Sequence, residues 1–468
     1  MIRSRFLRLI SSITNCILTS FPLKGNKRMK SKINRNLSYS LGSLFFLLML
    51  NAATAQRKDA RVAEQCLQVL TDVIIHDITS PLVASRDYAY SMIAFYEAAR
   101  YGDSNYLSYA GQLHGLKPLP APAAGVQYDW QTAGTAAFYK TSYAFVFSKD
   151  IFQKDWDSLQ TQLKKRPVPK DVYERSVAFG EQVAAGILAW AKEDNYIHTR
   201  TLPRFTASRQ PGTWQQTPPD YMEAIEPYWN QIRPMVLTKP DEISMPLPAA
   251  FKSEKFMAEC KELFDAKKNI TKDQNWAANF WDCNPFATRT VGHLMYSIKK
   301  ISPGGHWMGI AGIATSKTKQ PLVPALATYS LVSVALFDAF IACWDVKFKT
   351  NYIRPVTAIQ QFIDPSWEAI LQTPPFPEYP SGHSVISMAS AVVLSSIYGD
   401  KFTYTDNSEK PYGVESRSYH SFFDAANEAA MSRFYGGIHF REAIENGSAL
   451  GKKIGEYVVK RVVLKKTK

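Results

Sequence analysis

Two cations seven residues apart open a series of three short motifs in the last quarter of the chain. Lys347 is followed after six residues by Arg354, and Pro355 comes directly after that arginine. The proline disfavours helix at Arg354 and suits the first turn of a following helix, so both cations are predicted to project from a non-helical segment. Such a pair is suited to holding an oxyanion, although a basic surface loop would also match this spacing.

The second motif is Pro380-Ser381-Gly382-His383, placed directly before the apolar stretch Ser384–Tyr398. The N-terminus of the helix predicted there offers unpaired backbone N–H groups and the positive end of the helix dipole. Gly382 lets the backbone approach an anion closely, and the Ser381 hydroxyl completes a cradle for it. His383 would stand beside that anion and exchange a proton; the alternative is a plain N-cap followed by a packed histidine.

The third motif runs from Ser432-Arg433 across two glycines to His439. Arg433 can hold two oxygens of a tetrahedral oxyanion in one planar fork. A neutral imidazole nitrogen of His439 could attack phosphorus or ligate vanadium, whereas the alternative for a single histidine is a place in the core. Taken together, the side chains of the three motifs all suit one task, which is holding a tetrahedral oxyanion.

In this order and spacing the motifs resemble the superfamily that joins type 2 phosphatidic acid phosphatases, bacterial acid phosphatases and vanadium-dependent haloperoxidases. The resemblance implies an enzyme with an all-α fold, a large helical bundle of the haloperoxidase and acid phosphatase type. It also implies His383 as the acid–base and His439 as the residue bonded to the oxyanion, the axial ligand of the metal in the case of vanadate. The oxyanion-binding residues that it implies are Lys347, Arg354, Ser381, Gly382 and Arg433.

The resemblance leaves two activities open. A haloperoxidase would hold vanadate as its cofactor and take hydrogen peroxide and halide, whereas a periplasmic acid phosphatase would need no cofactor and would hydrolyse phosphate esters through a phosphohistidine at His439. The haloperoxidase is favoured, because membrane phosphatases of the superfamily carry several spanning helices and the soluble bacterial acid phosphatases are much shorter. Trp344 and Phe376 resemble the aromatic lining of the halide pocket in chloroperoxidases, and both could equally be core aromatics. The halide, the organic acceptor and the oligomeric state stay open.

One position departs from the superfamily pattern. The aspartate expected four residues after His439 is Ala443, so the usual carboxylate that orients this histidine is missing. Glu442 stands one residue earlier and could replace it if a helix begins there, because positions three and four apart share a helix face. The sequence therefore predicts Glu442 as the orienting residue.

The elements that must position these motifs are predicted to be helical almost throughout, with apolar residues at helical spacing such as Tyr88, Met92 and Phe95. The proline-rich region Arg204–Ala250 is predicted to be a long irregular excursion that caps or lines a site. The predicted helices are Asp87–Arg100, Asp129–Phe147, Asp171–Lys192, Ser253–Lys267, Ala287–Ile301, Val323–Trp344, Val356–Ile363, Ser384–Tyr398, Asp424–Tyr435 and Ala443–Val463. The most apolar predicted helix, Val323–Trp344, contains Asp338 and Pro324, which favour a buried central helix over a membrane span. No stable membrane insertion of the mature chain is therefore expected.

Basic charge is concentrated at the N-terminus, where it indicates export. Residues 1–55 carry nine Lys or Arg and no Asp or Glu, which leaves only +5 of the net charge of +14 for the rest of the chain and argues against nucleic-acid binding. Basic residues, the apolar stretch Leu41–Leu50 and the small residues Ala53-Thr54-Ala55 follow one another as in a signal peptide, with cleavage predicted before Gln56. Met29 would be a more usual start, and an uncleaved anchor helix is the alternative. The mature protein is predicted to be periplasmic or extracellular.

The chain is predicted to divide into the signal-peptide region 1–55, an N-terminal helical part 56–320 and a core 321–468 that carries the oxyanion site. Both helical parts are expected to pack into one body. The cysteines after position 55 lie far apart without a C-x-x-C pair, so their spacing does not indicate a zinc site. Export permits disulfides, and buried free thiols are the alternative. These cysteines are Cys66, Cys260, Cys283 and Cys343.

Overall fold

The computed structural model describes residues 60–466, which belong to one compact unit. The predicted signal peptide and its cleavage site lie outside the described residues. Helices dominate, and the sheets in the described part of the chain are two small antiparallel hairpins, so the predicted all-α class is confirmed. The boundary between residues 320 and 321 stays a prediction.

The first half of the described chain forms a group of helices around α2. The Ser80 hydroxyl accepts a hydrogen bond from the Val83 amide, and Pro81 takes the first helical position, so α2 begins with two strong start signals. The helices of this half are α1 (60–76), α2 (Pro81–Ala99), α3 (Trp130–Tyr143), α4 (Lys149–Lys164), α5 (Lys170–Lys192) and the short α6 (Tyr196–Thr199).

The second half carries the three motifs. Its helices are α7 (Glu254–Lys268), α8 (Lys272–Phe280), α9 (Pro303–Lys317), α10 (Leu322–Thr350), α11 (Pro355–Phe362), α12 (Gly382–Tyr398), α13 (Phe422–Tyr435) and α14 (Arg441–Arg461). Its strands are β1 (Thr288–Val291), paired with β2 (Leu294–Ser297), and β3 (Tyr404–Asp406), paired with β4 (Arg417–Tyr419). Short 3-10 turns occur at Arg100–Gly102, Trp229–Gln231 and Lys410–Tyr412.

Helix α10 runs through the core of the molecule. It is long and apolar enough to cross a membrane by composition, yet 94% of its most apolar window is buried inside the protein. Asp338 on this helix accepts the backbone N–H groups of Met235, Val236 and Leu237 at 2.7 to 2.8 Å. The buried carboxylate therefore fastens the irregular, proline-rich region to the central helix.

Helices α12 and α14 approach each other closely through glycines spaced four residues apart on α14. A Cβ atom at Gly451 would stand 2.1 Å from the Val385 carbonyl oxygen, and one at Gly447 would stand 3.1 Å from the Ser381 carbonyl oxygen. The glycine stripe thus sets the position of α12, whose N-terminus is the second motif.

The helix predicted at Ala287–Ile301 is wrong. This segment contains the β1–β2 hairpin, whose turn includes Gly292 in the left-handed region at φ +60°. Thr288 and Val291 are β-branched and therefore favour strands, which outweighed the apolar spacing. Helices α1, α4, α6, α8 and α9 were not predicted. All four cysteines after position 55 are buried and free, so the disulfide alternative is excluded in this structure.

Candidate functional site

The residues of the three motifs meet at one buried place between α10, α12, α13 and α14. Nη1 of Arg354 lies 3.4 Å from Nε2 of His439. Gly382, His383, Arg433 and His439 line one cavity of about 40 Å³. Lys347 and Arg354 stand next to this cavity, with Nζ and the guanidinium carbon 5.0 and 4.9 Å from the Phe376 ring in its wall.

Arg354 stands just before α11 with an extended backbone, and Pro355 is the first helical residue, as predicted. Lys347 differs from the prediction, because it lies in the last turn of α10 and not in a non-helical segment. The helix ends only at Asn351, whose φ of +45° is a typical left-handed helix stop. The two cations therefore come from a helix end and a helix start that are joined by a short turn.

The guanidinium of Arg354 is fully buried. Its Nε donates to the Phe376 carbonyl and its Nη1 to the Ile438 carbonyl, both at 2.8 Å. Nη2 has no hydrogen-bond partner among the described residues. Burial lowers the pKa of this arginine to about 10, yet the group stays charged at neutral pH. A buried cation with an unpaired N–H group indicates a place for an anion.

Lys347 is also fully buried. Its Nζ donates to the carbonyl oxygens of Pro377 and Glu378 at 2.8 and 3.0 Å, which leaves one of its three N–H donors for another partner. Desolvation lowers the pKa of Lys347 to about 7. An anion beside the ammonium would stabilise its charged form and raise the pKa again.

Two contacts determine the tautomer of His439. The guanidinium of Arg354 has only donors, so Nε2 of the histidine must accept from it and carries a lone pair. The proton is therefore on Nδ1, which donates to Oε1 of Glu378 at 2.9 Å. Burial, followed by the charge of Arg354, lowers the pKa of His439 well below its usual value, so the ring is neutral. Its basic nitrogen is thus available as a nucleophile or metal ligand.

The prediction that Glu442 orients His439 is wrong. The Glu442 carboxylate accepts from the Ala249 amide at 3.1 Å and pairs with Nζ of Lys255 at 2.5 Å, away from the histidine. Glu378 orients the ring instead, and the same Oε1 atom accepts the Phe440 amide at 2.9 Å.

Sequence reasoning missed Glu378, which is fully buried and has its pKa raised to about 8 by desolvation. The sequence did contain a signal for it. Glu378 is the single acidic residue in the proline-rich stretch 374–380, which leads into the second motif. Such a carboxylate is expected to find a specific partner.

The second motif forms the N-terminus of α12. Ser381 is the N-cap, and its hydroxyl accepts from the Ser384 amide at 3.4 Å, while Gly382 begins the helix. His383 follows with its ring in the wall of the cavity, and its Nε2 has no partner within residues 60–466. Burial and then the charge of Arg433 lower the pKa of His383 well below its usual range, so this ring is neutral as well.

Arg433 enters the cavity from the last turn of α13. Its Nη2 donates to the Ala278 carbonyl and its Nε to the Ser432 hydroxyl, both at 3.0 Å. Nη1 lies 3.9 Å from Oδ1 of Asp282, which is paired on its other oxygen with Lys300. Asp282 therefore offsets only part of the charge of Arg433.

The chain is similar to a family model and to solved structures of known proteins. The family model of the VCPO second helical-bundle domain matches residues 327–465. The crystal structure of a bacterial vanadium-dependent iodoperoxidase is 44% identical to this chain, covers 88% of it and 98% of its own length, and superposes with a TM-score of 0.82. The chain belongs to the vanadium-dependent haloperoxidase family. It is therefore an enzyme of the peroxidase type, and the predicted superfamily is confirmed.

Two further solved structures share the fold of this haloperoxidase at low sequence identity. A holo-type bacterial vanadium-dependent chloroperoxidase is 16% identical, with a TM-score of 0.63 over 82% of this chain and 93% of its own. The apo-type structure of a bacterial chloroperoxidase gives the same identity and TM-score over 81% of this chain and 92% of its own. No curated protein matches the chain.

Two aromatic side chains complete the wall of the haloperoxidase cavity. The rings of Trp344 and Phe376 lie 4.9 Å apart, and both line the cavity. The Phe376 ring is 5.0 Å from Nζ of Lys347 and 4.9 Å from the guanidinium carbon of Arg354, within the range of cation–π contacts. The indole N–H of Trp344 donates to the Ile225 carbonyl, which ties the irregular region to the site.

Proposed function

We propose that this haloperoxidase oxidises a halide ion with hydrogen peroxide at a vanadate held by Nε2 of His439. The observation that carries the proposal is the available imidazole nitrogen of His439 beside the unpaired Nη2 of buried Arg354. His439 lines a small cavity of about 40 Å³, and the Arg354 guanidinium lies directly beside its ring, at 3.4 Å from Nε2. Vanadate, when bound, supplies a Lewis-acid centre that activates peroxide.

The oxygens of the anion would be held by the donors around the cavity. Lys347, Arg354 and Arg433 supply three positive charges in a buried site, where their attraction to an anion is stronger than in water. The Ser381 hydroxyl and the first backbone N–H groups of α12 add neutral donors at the positive end of a helix dipole. Glu378 keeps the lone pair of His439 directed at the same place.

Halide oxidation transfers two electrons from the halide to the O–O bond of hydrogen peroxide. One proton is consumed, and hypohalous acid and water leave. His383 is neutral and has a free ring nitrogen in the cavity wall, so it is placed to take up this proton and deliver it to the departing oxygen. Its role is therefore that of the acid–base.

We propose iodide as the first halide to test. The relative that is 44% identical is named an iodoperoxidase, and this identity extends over 88% of the chain. The rings of Trp344 and Phe376 offer an apolar, polarisable wall beside two cations, a setting that suits a large halide.

The acid phosphatase activity is the alternative on the same residues, because phosphate and vanadate are both tetrahedral oxyanions. An ester also needs space for its organic leaving group. The small volume of the cavity favours hydrogen peroxide and halide over such an ester.

A paired assay tests the proposal. The purified protein, loaded with orthovanadate and freed of the excess, should oxidise iodide with hydrogen peroxide, and His439→Ala should lose both this activity and vanadate binding. His420→Ala, which alters an exposed histidine, is the matched control and should keep both. Full activity of His439→Ala would refute the assigned role. Hydrolysis of p-nitrophenyl phosphate by the metal-free protein, without iodide oxidation after loading, would favour the phosphatase.

We also propose that residues 1–55 direct export and are cleaved before Gln56. The order of basic, apolar and small residues supports this. N-terminal sequencing of the protein recovered from the periplasm or medium should begin at Gln56, and an intact N-terminus on cytoplasmic protein would contradict it.

A further inference from the structure

A second group of chemically active side chains lies beside the oxyanion cavity, and one of them, Cys283, also lines that cavity. Sγ of Cys283 is 3.3 Å from Nδ1 of His306 and 3.2 Å from Oε1 of Glu409, and the last two atoms are 2.8 Å apart. All three side chains are buried. They come from the loop after α8, from the first turn of α9 and from the loop after β3. A thiolate, an imidazole and a carboxylate are ligand types that Zn²⁺ takes in proteins.

The histidine of this group is oriented by a carboxylate. Nε2 of His306 lies 2.8 Å from Oδ2 of Asp406, and both side chains have no exposed surface. The other oxygen of Asp406 accepts from the amide and the hydroxyl of Ser408 at 3.0 and 2.7 Å. Asp406 is thus an acceptor, so Nε2 carries a proton. When the ring is neutral, as it must be to bind a metal, the lone pair of Nδ1 points at Cys283 and Glu409. Metal-ligating histidines typically have such a carboxylate on their second nitrogen.

A positive charge would hold the three facing atoms together, and either a protonated His306 or a bound divalent cation could supply it. In a neutral network the thiol proton of Cys283 can serve only one of the three contacts at a time. A divalent cation serves all three. The separations of 2.8 to 3.3 Å are slightly shorter than the edge of about 3.4 Å in a tetrahedral site with bonds of about 2.0–2.3 Å. The ligand atoms would therefore have to move apart by about 0.1–0.2 Å at the sulfur contacts and by about 0.6 Å between Nδ1 of His306 and Oε1 of Glu409.

We propose that Cys283, His306 and Glu409 are the three protein ligands of a zinc ion, at a site that adjoins the oxyanion cavity. The Trp281 ring stacks on the His306 ring at 4.3 Å and 19°, so the site lies under an aromatic cover. The ion would join α9 and the β3–β4 hairpin to the loop that carries Asp282, the neighbour of Arg433. It would thereby stabilise one wall of the oxyanion cavity. This proposal does not depend on which anion the cavity binds.

Zinc binding to the purified protein tests the proposal. We expect about one zinc ion per chain by elemental analysis, its removal by a strong chelator, and saturable rebinding of Zn²⁺ alone at one site per chain. Cys283→Ser should weaken the affinity by about 100-fold or more. Asp406→Asn alters only the hydrogen-bond partner of His306 and should weaken it by about 10–100-fold. Cys260→Ser removes a buried thiol on α7 and is the matched control, for which we expect unchanged zinc binding.

A spectroscopic measurement keeps the test decisive if the variants fold poorly. Co²⁺ bound to the wild-type protein should show a thiolate-to-metal charge-transfer band, because Cys283 is a proposed ligand. Absence of this band, absence of one-site binding of Zn²⁺ to the chelator-treated wild type, or unchanged zinc affinity in folded Cys283→Ser would each overturn the proposal. These results would identify a network held by protons only, with a charged His306 between two carboxylates.

Discussion

At the scale of single residues, His439 is held between a hydrogen-bond donor on one side of its ring and an acceptor on the other. Arg354 donates to one ring nitrogen and Glu378 accepts from the other, so only one neutral tautomer satisfies both contacts. The pair also fixes the plane of the ring inside a buried site. We infer that Glu378 is the positioning residue of this haloperoxidase and takes over the task of the carboxylate that is absent at Ala443.

Replacement of Glu378 should therefore weaken anion binding. Glu378→Ala leaves Nδ1 of His439 and the Phe440 amide without their acceptor, and we expect an affinity for vanadate lower by about 10–100-fold in equilibrium dialysis. Glu378→Gln keeps an oxygen acceptor and should lose less. Glu442→Ala is the control, since its contacts are with Lys255 and Ala249, and it should bind vanadate like the wild type. A loss in Glu442→Ala alone would contradict the assignment of Glu378.

Anion binding should become weaker as the pH rises. Burial lowers the pKa of Lys347 to about 7 and raises that of Glu378 to about 8. Above these values the lysine is neutral and the glutamate is negative, and both changes disfavour an anion. The affinity for sulfate, which does not itself titrate in this range, should be highest below pH 7 and fall by up to about tenfold per pH unit above it.

Calorimetry in buffers of different ionisation enthalpy should detect the uptake of protons when sulfate binds near pH 8. The arginine in Lys347→Arg keeps its charge at this pH. The sulfate affinity of this variant should therefore decrease only above pH 8, where Glu378 becomes negative. A sulfate affinity that is independent of pH between 6 and 9 in the wild type would show that neither group titrates as inferred.

At the scale of elements, the contact between α12 and α14 determines where the anion cradle stands. A methyl group at Gly451 would overlap the Val385 carbonyl, which is backbone and cannot rotate away. Gly451→Ala should therefore push the helices apart, with a loss of about 1–3 kcal/mol in the free energy of unfolding. Because α12 begins at the cradle, the affinity for vanadate should fall as well.

Gly312→Ala on α9 is the matched control for Gly451→Ala. The nearest atom to a new Cβ there is the Tyr329 hydroxyl at 3.8 Å, an ordinary van der Waals contact. Because alanine is a better helix former than glycine, this variant should be as stable as the wild type or more stable by up to about 1 kcal/mol. Chemical denaturation measures both variants, and equal stabilities would refute the tight α12–α14 contact.

At the scale of the whole molecule, the irregular region is part of the site and depends on one buried carboxylate. Asp338 accepts hydrogen bonds from three consecutive backbone amides of this region, and the carbonyl of Ile225, earlier in the same region, accepts the Trp344 indole N–H. Asp338→Ala would leave three buried donors unpaired, at about 1–3 kcal/mol each.

We expect Asp338→Ala to lose at least about 3 kcal/mol of stability and to expose the region to proteolysis. Asp157→Ala on the exposed face of α4 should stay within about 0.5 kcal/mol of the wild type. Limited proteolysis and thermal unfolding check both variants. Unchanged cleavage of Asp338→Ala would show that the region is held by other contacts.

The stability of the described chain should not depend on disulfides. All four cysteines after position 55 are free, so a phosphine reductant such as TCEP should leave the melting temperature unchanged. A decrease of several degrees on reduction would contradict this.

The sequence by itself determined the residue types of the anion site and the helix starts at Ser381 and Pro355. These follow from chemistry and local sterics, since an oxyanion needs cations and helix N-termini, and capping acts within a few residues. Only the tertiary structure decided that Glu378, 61 positions before His439, orients that ring, and that Cys283 meets His306 and Glu409. These contacts join segments that are far apart in the chain and that meet only because helices pack across the core. No periodic pattern or fixed spacing in the sequence indicates such contacts.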